Sequence, residues 1–141
     1  MPNLRIEISP ALADAIRAKA LAAFPRECCG LLEGVRQEGN FHVTALHPAR
    51  NVCPAPHRFE MDARDQFLAQ KGARQRGRSI IGCYHSHPGG PAQPSSADRD
   101  GAGEEEFLWL IAGSDGLKAF IYREGEFDVL SLGADWVTSS R

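Results

Sequence analysis

Apolar residues recur along this chain with two different periods. Leu4, Ile6 and Ile8 alternate with Arg5 and Glu7, the period of a strand. From Pro10 the period changes. Leu12, Ala15, Ile16, Ala20 and Ala23 fall at helical spacing with Arg17 and Lys19 off the stripe, which predicts a helix to about Phe24 that Pro25 ends. Residues Cys28 to Val35 are apolar around Gly30 and Gly34 and read as a buried strand. Residues Phe41 to Leu46 alternate and should pair with it through a turn around Glu38-Gly39-Asn40. The stretch from Pro48 to His57 holds Pro48, Pro54 and Pro56 and predicts an ordered loop. A short strand at Phe59-Glu60-Met61 follows, then a helix capped by Asp62 and running to about Gln75.

The second half opens with a buried central strand, Ser79 to Tyr84, ending at His85. Gly89, Gly90, Pro91 and Pro94 build a loop. Ser95-x-x-Asp98 has the form of a capping box with a shortened acid, placing Asp98 in the first turn of a short helix. Strands are predicted over Phe107–Ala112, Leu117–Arg123 and Glu126–Leu132, with turns at Gly113–Gly116 and Glu124-Gly125. There is no repeat and no interdomain linker. The pattern describes one α/β domain over residues 1–141 with a mixed sheet and two main helices.

Composition narrows the function classes. A chain of 141 residues is long enough for a real core, and a net charge of −2 carries no polyanion-binding signature. The local run of Arg64, Lys71, Arg74, Arg76 and Arg78 has no aromatic residues interleaved from Lys71 to Arg78. It reads as a solvated helix face and turn, so no nucleic-acid partner is expected. No run is apolar enough to span a membrane and Met1 to Glu7 lacks the apolar core of a signal peptide, which favours a cytoplasmic location without membrane partners. Cys28, Cys29, Cys53 and Cys83 form no C-x-x-C pair. Cys28, Cys29 and Cys83 read as small buried residues, and the redox state of Cys53 and Cys83 stays open. Oligomeric state stays open as well, an apolar helix face being enough for a homodimer.

Chemistry concentrates in His85-Ser86-His87, with Ser95 and Asp98 downstream. Side chains alternate along a strand, so two histidines two apart share one face. A carboxylate at a helix start can fold back toward them. Two imidazoles and one carboxylate leave a fourth position of a tetrahedral zinc open, the pattern of a catalytic rather than a structural site. Hydrolysis also needs a carboxylate to take and return a proton. Glu27, Glu33, Glu60 and the run Glu104-Glu105-Glu106 are candidates, and position alone does not choose among them. Ser95 offers a hydroxyl to an oxyanion, or simply caps its helix. Ser86 should point to the opposite face and brace the ligands. No nucleophile elbow surrounds either serine. A deaminase would need a cysteine-containing zinc set, which the histidine pair with Asp98 does not supply.

At these residues the chain resembles a known family. His85-x-His87, seven residues, Ser95, two residues and Asp98 is similar to the JAMM (MPN+) metalloprotease motif at full spacing. Pro25 to Leu32 resembles the segment in which bacterial members carry their catalytic glutamate, and Phe59–Asp62 and Gly82–Tyr84 resemble the pattern around that site. The resemblance implies His85, His87 and Asp98 as ligands of one zinc ion, Glu27 as general acid/base and Ser95 as oxyanion stabiliser. It implies a three-layer α/β sandwich with a curved mixed sheet flanked by helices, related to cytidine deaminases. The activity implied is hydrolysis after the C-terminal Gly-Gly of a ubiquitin-like or sulfur-carrier protein, releasing cysteine or a short extension. The alternatives are a zinc hydrolase of another peptide, such as a cell-wall peptide, and a metal-binding interaction module without turnover. With short loops and little spare chain, the substrate's tail is expected beside a sheet edge.

Overall fold

The computed structural model describes residues 4–132; both ends of the expected 1–141 domain lie outside the described residues. The element order is β1 (Arg5–Glu7), α1 (Pro10–Ala23), β2 (Cys29–Gln37), β3 (Asn40–Ala49), α2 (Ala63–Gln75), β4 (Ser79–Ser86), α3 (Ser96–Gly101), β5 (Phe107–Gly113), β6 (Gly116–Arg123) and β7 (Glu126–Leu132). Local chemistry sets the helix starts. Ser9 accepts from the Leu12 N–H with Pro10 in the first turn, and Asp62 accepts from the N–H groups of Arg64 and Asp65.

The strands run in the order β1-β3-β2-β4-β5-β6-β7, and three-residue β1 closes the ring by pairing parallel with both β3 and β7. β4 and β5 are parallel, joined by a crossover through α3, and the remaining pairs are antiparallel. One face of this curved sheet packs Leu32, Tyr84, Leu108 and Leu110 against Ala13 and Ile16 of α1. The other packs Leu31, Cys83, Trp109 and Ile111 against Ala69 of α2. The expected layers of helix, mixed sheet and helix are present.

Three details differ from the sequence reading. β3 runs on through Pro48 to Ala49, because Pro48 sits opposite Gly30 and its other side has no strand partner that would need its missing N–H. Phe59–Met61 is not a strand; only Met61 forms an isolated bridge, to Asn51. The substrate tail is expected beside a sheet edge, but β4, which leads to the histidines, is not an edge strand, being flanked by β2 and β5 up to His85.

Gly30 is required by close approach. A Cβ there would meet the Tyr84 ring at 2.3 Å, and Tyr84 is its register partner on β4. The basic run of α2 and the turn after it is exposed, as expected, but the Arg76 guanidinium also reaches a buried carboxylate. Its Nε lies 3.0 Å and its Nη2 2.6 Å from the carboxylate of Glu33, and His47 Nε2 lies 2.7 Å from the same group. Glu33 is 1% exposed, and the Arg76 hydrogen bonds hold its carboxyl down at about 2. A carboxyl lowered on folding stabilises above its unfolded value of 4.5, and the gain is lost as pH falls through 2. Half-exposed Arg76 is screened by water, so the contribution is about 2 kcal/mol. In urea unfolding, the stability gap between wild type and Glu33→Gln should close by that amount over this acid interval. A gap that does not depend on pH would show that the carboxylate charge contributes nothing.

Candidate active site

The site forms where β4 ends. His85, on its last turn of the pleat, is fully buried, while His87 lies one residue past the strand and continues the ladder by donating its N–H to Ala112 O at 2.8 Å. The chain then turns, with Gly90 N–H donating to His87 O, and Ser114 and Asp115 of the β5–β6 turn hold the loop at Gly90 and Ala92. This returns the chain to Ser95, the N-cap of α3. Ser95 Oγ accepts from Asp98 N–H at 3.0 Å and Asp98 Oδ2 accepts from Ser95 N–H at 2.9 Å, so the expected capping box is complete. It fixes Asp98 on the inner side of the helix, where the residue is buried.

His85, His87 and Asp98 converge. The two Nε2 atoms are 3.0 Å apart, His85 Nε2 lies 3.0 Å from Asp98 Oδ1, and His87 Nε2 lies 3.2 Å from Asp98 Oδ2. Tetrahedral ligands of a zinc-sized ion sit about 3.3 Å from one another, given bonds of about 2.0–2.1 Å, so the donor set has the size such an ion needs. Its protonation also fits. His87 Nδ1 faces Pro91 O at 3.0 Å; a carbonyl only accepts, so Nδ1 carries a proton and Nε2, which otherwise donates to Asp98, is the nitrogen a metal would take in place of that proton. Burial opposes the charge on Asp98, but hydrogen bonds with His85, His87 and Ser95 N–H hold it ionised below the usual carboxylate range. Burial also pushes His85 down, toward the neutral form that ligates. Lone pairs facing one another at this distance repel unless a cation or proton lies between them. The arrangement can hold a divalent metal.

Glu27 approaches from the start of β2. It is 5% exposed, and its carboxylate, with the two histidines, offers donor atoms all within 4.8 Å of one another. Its Oε1 is buried and has no hydrogen-bond partner among the described residues. Burial pushes its carboxyl up to about 7, with His87 opposing and Asp98 adding to the rise. A carboxyl near 7 can both accept and return a proton at neutral pH. Ser86 braces this segment: its Oγ accepts from Cys28 N–H at 2.9 Å, and its own N–H donates to Cys28 O at 3.2 Å.

The other acids are engaged elsewhere. Glu33 is held by Arg76 and His47, Glu106 by Arg123, and Glu105 by the Glu124 N–H. Glu60 and Glu104 line a cavity of about 550 Å³ that opens beside Asp98. A second cleft of about 430 Å³ runs from His87 to the exposed Leu21 of α1 and Phe24 just past its end. Sequence reading gave no role to Phe59, whose ring lies 4.5 Å from that of His85, or to Trp109, edge-on to His85 at 5.7 Å. Asn51 was not singled out either; a lone asparagine in a proline-rich loop has no distinguishing pattern.

The fold and this cluster define an α/β domain in which His85, His87 and Asp98 converge with Glu27 beside the two histidines. Residues 9–124 match the family described as prokaryotic homologs of the JAB domain, and the chain belongs to that family. It is 30% identical over 141 residues to a desampylase of Haloferax volcanii, covering 96% of this chain and 100% of that protein. It is 34% identical over 125 residues to a "Probable TtuB-protein conjugate cleaving protease" of Thermus thermophilus, covering 88% of this chain and 80% of that one. Among solved structures, a protein from Desulfitobacterium hafniense matches with a TM-score of 0.79 and 29% identity over 92% of both chains.

Proposed function

We propose that this chain is a metallopeptidase that hydrolyses the amide bond after the C-terminal Gly-Gly of a ubiquitin-like or sulfur-carrier protein, releasing cysteine, a short extension or a conjugated protein. The observation that carries this is the buried, unpartnered Glu27 carboxyl beside the converged His85, His87 and Asp98. The desampylase and conjugate-cleaving relatives support the reaction and its substrate class.

His85, His87 and Asp98 would hold one zinc ion, which supplies a Lewis acid able to make water nucleophilic at neutral pH. Glu27 takes the proton from the attacking water and delivers it to the departing amine. Ser95 keeps its capping bond through the oxygen lone pairs, so its hydroxyl proton is free to stabilise the oxyanion; cap and oxyanion roles are compatible. The exposed Leu21 and Phe24 beside the His87 cleft offer apolar contact to the folded body of the carrier, while its side-chain-free Gly-Gly end fits a narrow approach. The four cysteines are free thiols, which suits a cytoplasmic enzyme.

The test is metal analysis of the purified protein together with mass spectrometry of carrier proteins extended beyond Gly-Gly. One zinc per chain and a product ending at Gly-Gly, lost on chelation and restored by zinc, is the expected result. Metal without cleavage of any such carrier would overturn the substrate assignment and leave a peptide hydrolase of another kind or a binding module.

A further inference from the structure

We propose that Asn51 is a positioning residue that ties the proton-carrying Glu27 to the loop covering the His85 ligand. This rests on the reading of Glu27 as the proton shuttle. One carboxamide makes four hydrogen bonds. Its Nδ2 donates to Glu27 O at 3.0 Å and to Arg58 O at 3.1 Å. Its Oδ1 accepts from Cys53 N–H and from Glu60 N–H, each at 3.0 Å. Both amide hydrogens and both oxygen lone pairs are used, which is the full capacity of the group.

The partners show what the residue does. The bonds to Arg58 O and Glu60 N–H bracket Phe59, whose ring lies 4.5 Å from the His85 ring at an interplanar angle of 30°. The bond to Glu27 O grips the main chain of the acid itself, just before Ser86 grips Cys28. Backbone ladders do not reach this point from the loop side: Glu27 precedes β2, and residues 53–59 belong to no strand or helix. The short pairing of Val52 N–H with Glu60 O and Asp62 N–H with Arg50 O closes the loop base, and Arg26 Nη2, one residue ahead of Glu27, donates to Cys53 O. Arg26 reaches only the start of the loop, whereas the Asn51 side chain joins the acid on one side of the metal donors to both flanks of the aromatic wall on the other. Removing it leaves all three metal donors and their capping box intact.

The experiment compares wild type, Asn51→Asp and Asn51→Ala, each with metal content measured and turnover expressed per bound metal. Asn51→Asp is nearly isosteric; it keeps acceptors for Cys53 and Glu60 and loses both donors. Bound metal should match wild type, KM should stay within about 3-fold, and kcat should fall about 10- to 100-fold, because a misplaced reacting group loses rate rather than binding. Asn51→Gln, which retains the donors on a longer stem, should recover part of the loss. Unchanged kcat per bound metal well below the melting temperature would overturn the proposal, even with lowered stability. Amide hydrogen exchange gives a readout that needs no substrate. In Asn51→Ala, exchange should rise at Cys53 and Glu60 and reach Cys28, and unchanged protection at those amides would also overturn it. If wild type itself cleaves no Gly-Gly carrier, the functional reading fails, while the exchange result still decides whether Asn51 registers the loop.

Discussion

Glu27→Gln should lower turnover by about 10² to 10⁴-fold while leaving bound metal and fold in place. The substitution conserves shape and removes only the ability to carry a proton. In the proposed reading Glu27 lies within 4.8 Å of the histidine donors but does not ligate, so metal content should match wild type. Stability should change in a direction that a structural acid would not produce. Burial raises the Glu27 carboxyl from 4.5 to about 7, so the folded state holds this proton more tightly than the unfolded chain does. A group raised on folding favours the native state below its unfolded value and loses that contribution as pH rises through the folded one. Above pH 7 the metal-free wild type therefore carries a buried charge that the variant lacks, and metal-free Glu27→Gln should be more stable there by about 2 kcal/mol. Steady-state cleavage and chemical unfolding of the chelated protein at two pH values measure both effects. Turnover near the wild-type rate would remove Glu27 from the reaction. A stability loss at high pH would make it a structural acid.

Much of the fold was legible because local chemistry and long-range packing agree here. Ser9-Pro10, Asp62 and Ser95-x-x-Asp98 begin helices where their side chains can accept backbone N–H groups, and each does so. Turn residues at Glu38-Gly39 and Glu124-Gly125 adopt positive φ and reverse the chain where expected. Ring closure was not legible. It depends on three residues, Arg5–Glu7, pairing with strands far away in the sequence, and no periodicity encodes a partner. Pro48 in β3 was missed for a similar reason: proline excludes a strand only where its N–H is needed, and that depends on the neighbour.

The donor triad was visible because strand alternation and a capping box both constrain where side chains point. The choice of Glu27 from the acids was not visible from spacing. What separates it from Glu33 is tertiary. Glu33 is equally buried but meets Arg76 and His47, which hold it ionised, while Glu27 meets no such donor among the described residues. The same physics puts two buried glutamates in opposite states, one held ionised at about 2 and the other raised to about 7.

Asp98→Asn should cut metal-dependent stability and activity together. The carboxamide keeps an oxygen that can accept from Ser95 N–H, so α3 stays capped, but it removes the one negative charge among the three donors. Outer-sphere partners alone are worth about 10- to 100-fold in metal affinity, so loss of a ligand should exceed about 100-fold. Linkage turns this into stability. With free metal at 1,000 times the wild-type dissociation constant, wild type gains about 4 kcal/mol over its chelated form, and Asp98→Asn at the same metal concentration should gain no more than about 1.4 kcal/mol. Asp98→Ala separates the two duties of the residue. It loses the metal as Asn does, and metal-free it should be a further 1 kcal/mol or so less stable than Asp98→Asn, because the side-chain bond to Ser95 N–H goes too while Ser95 Oγ still caps the helix. Calorimetric metal titration and thermal unfolding with and without chelator read both quantities. Wild-type metal affinity in Asp98→Asn with turnover lost would reassign the carboxylate, from holding the ion to orienting the two imidazoles that it contacts at 3.0 and 3.2 Å. Equal stability of the two metal-free variants would instead show that the capping box is held by the loop ahead of it rather than by the Asp98 side chain.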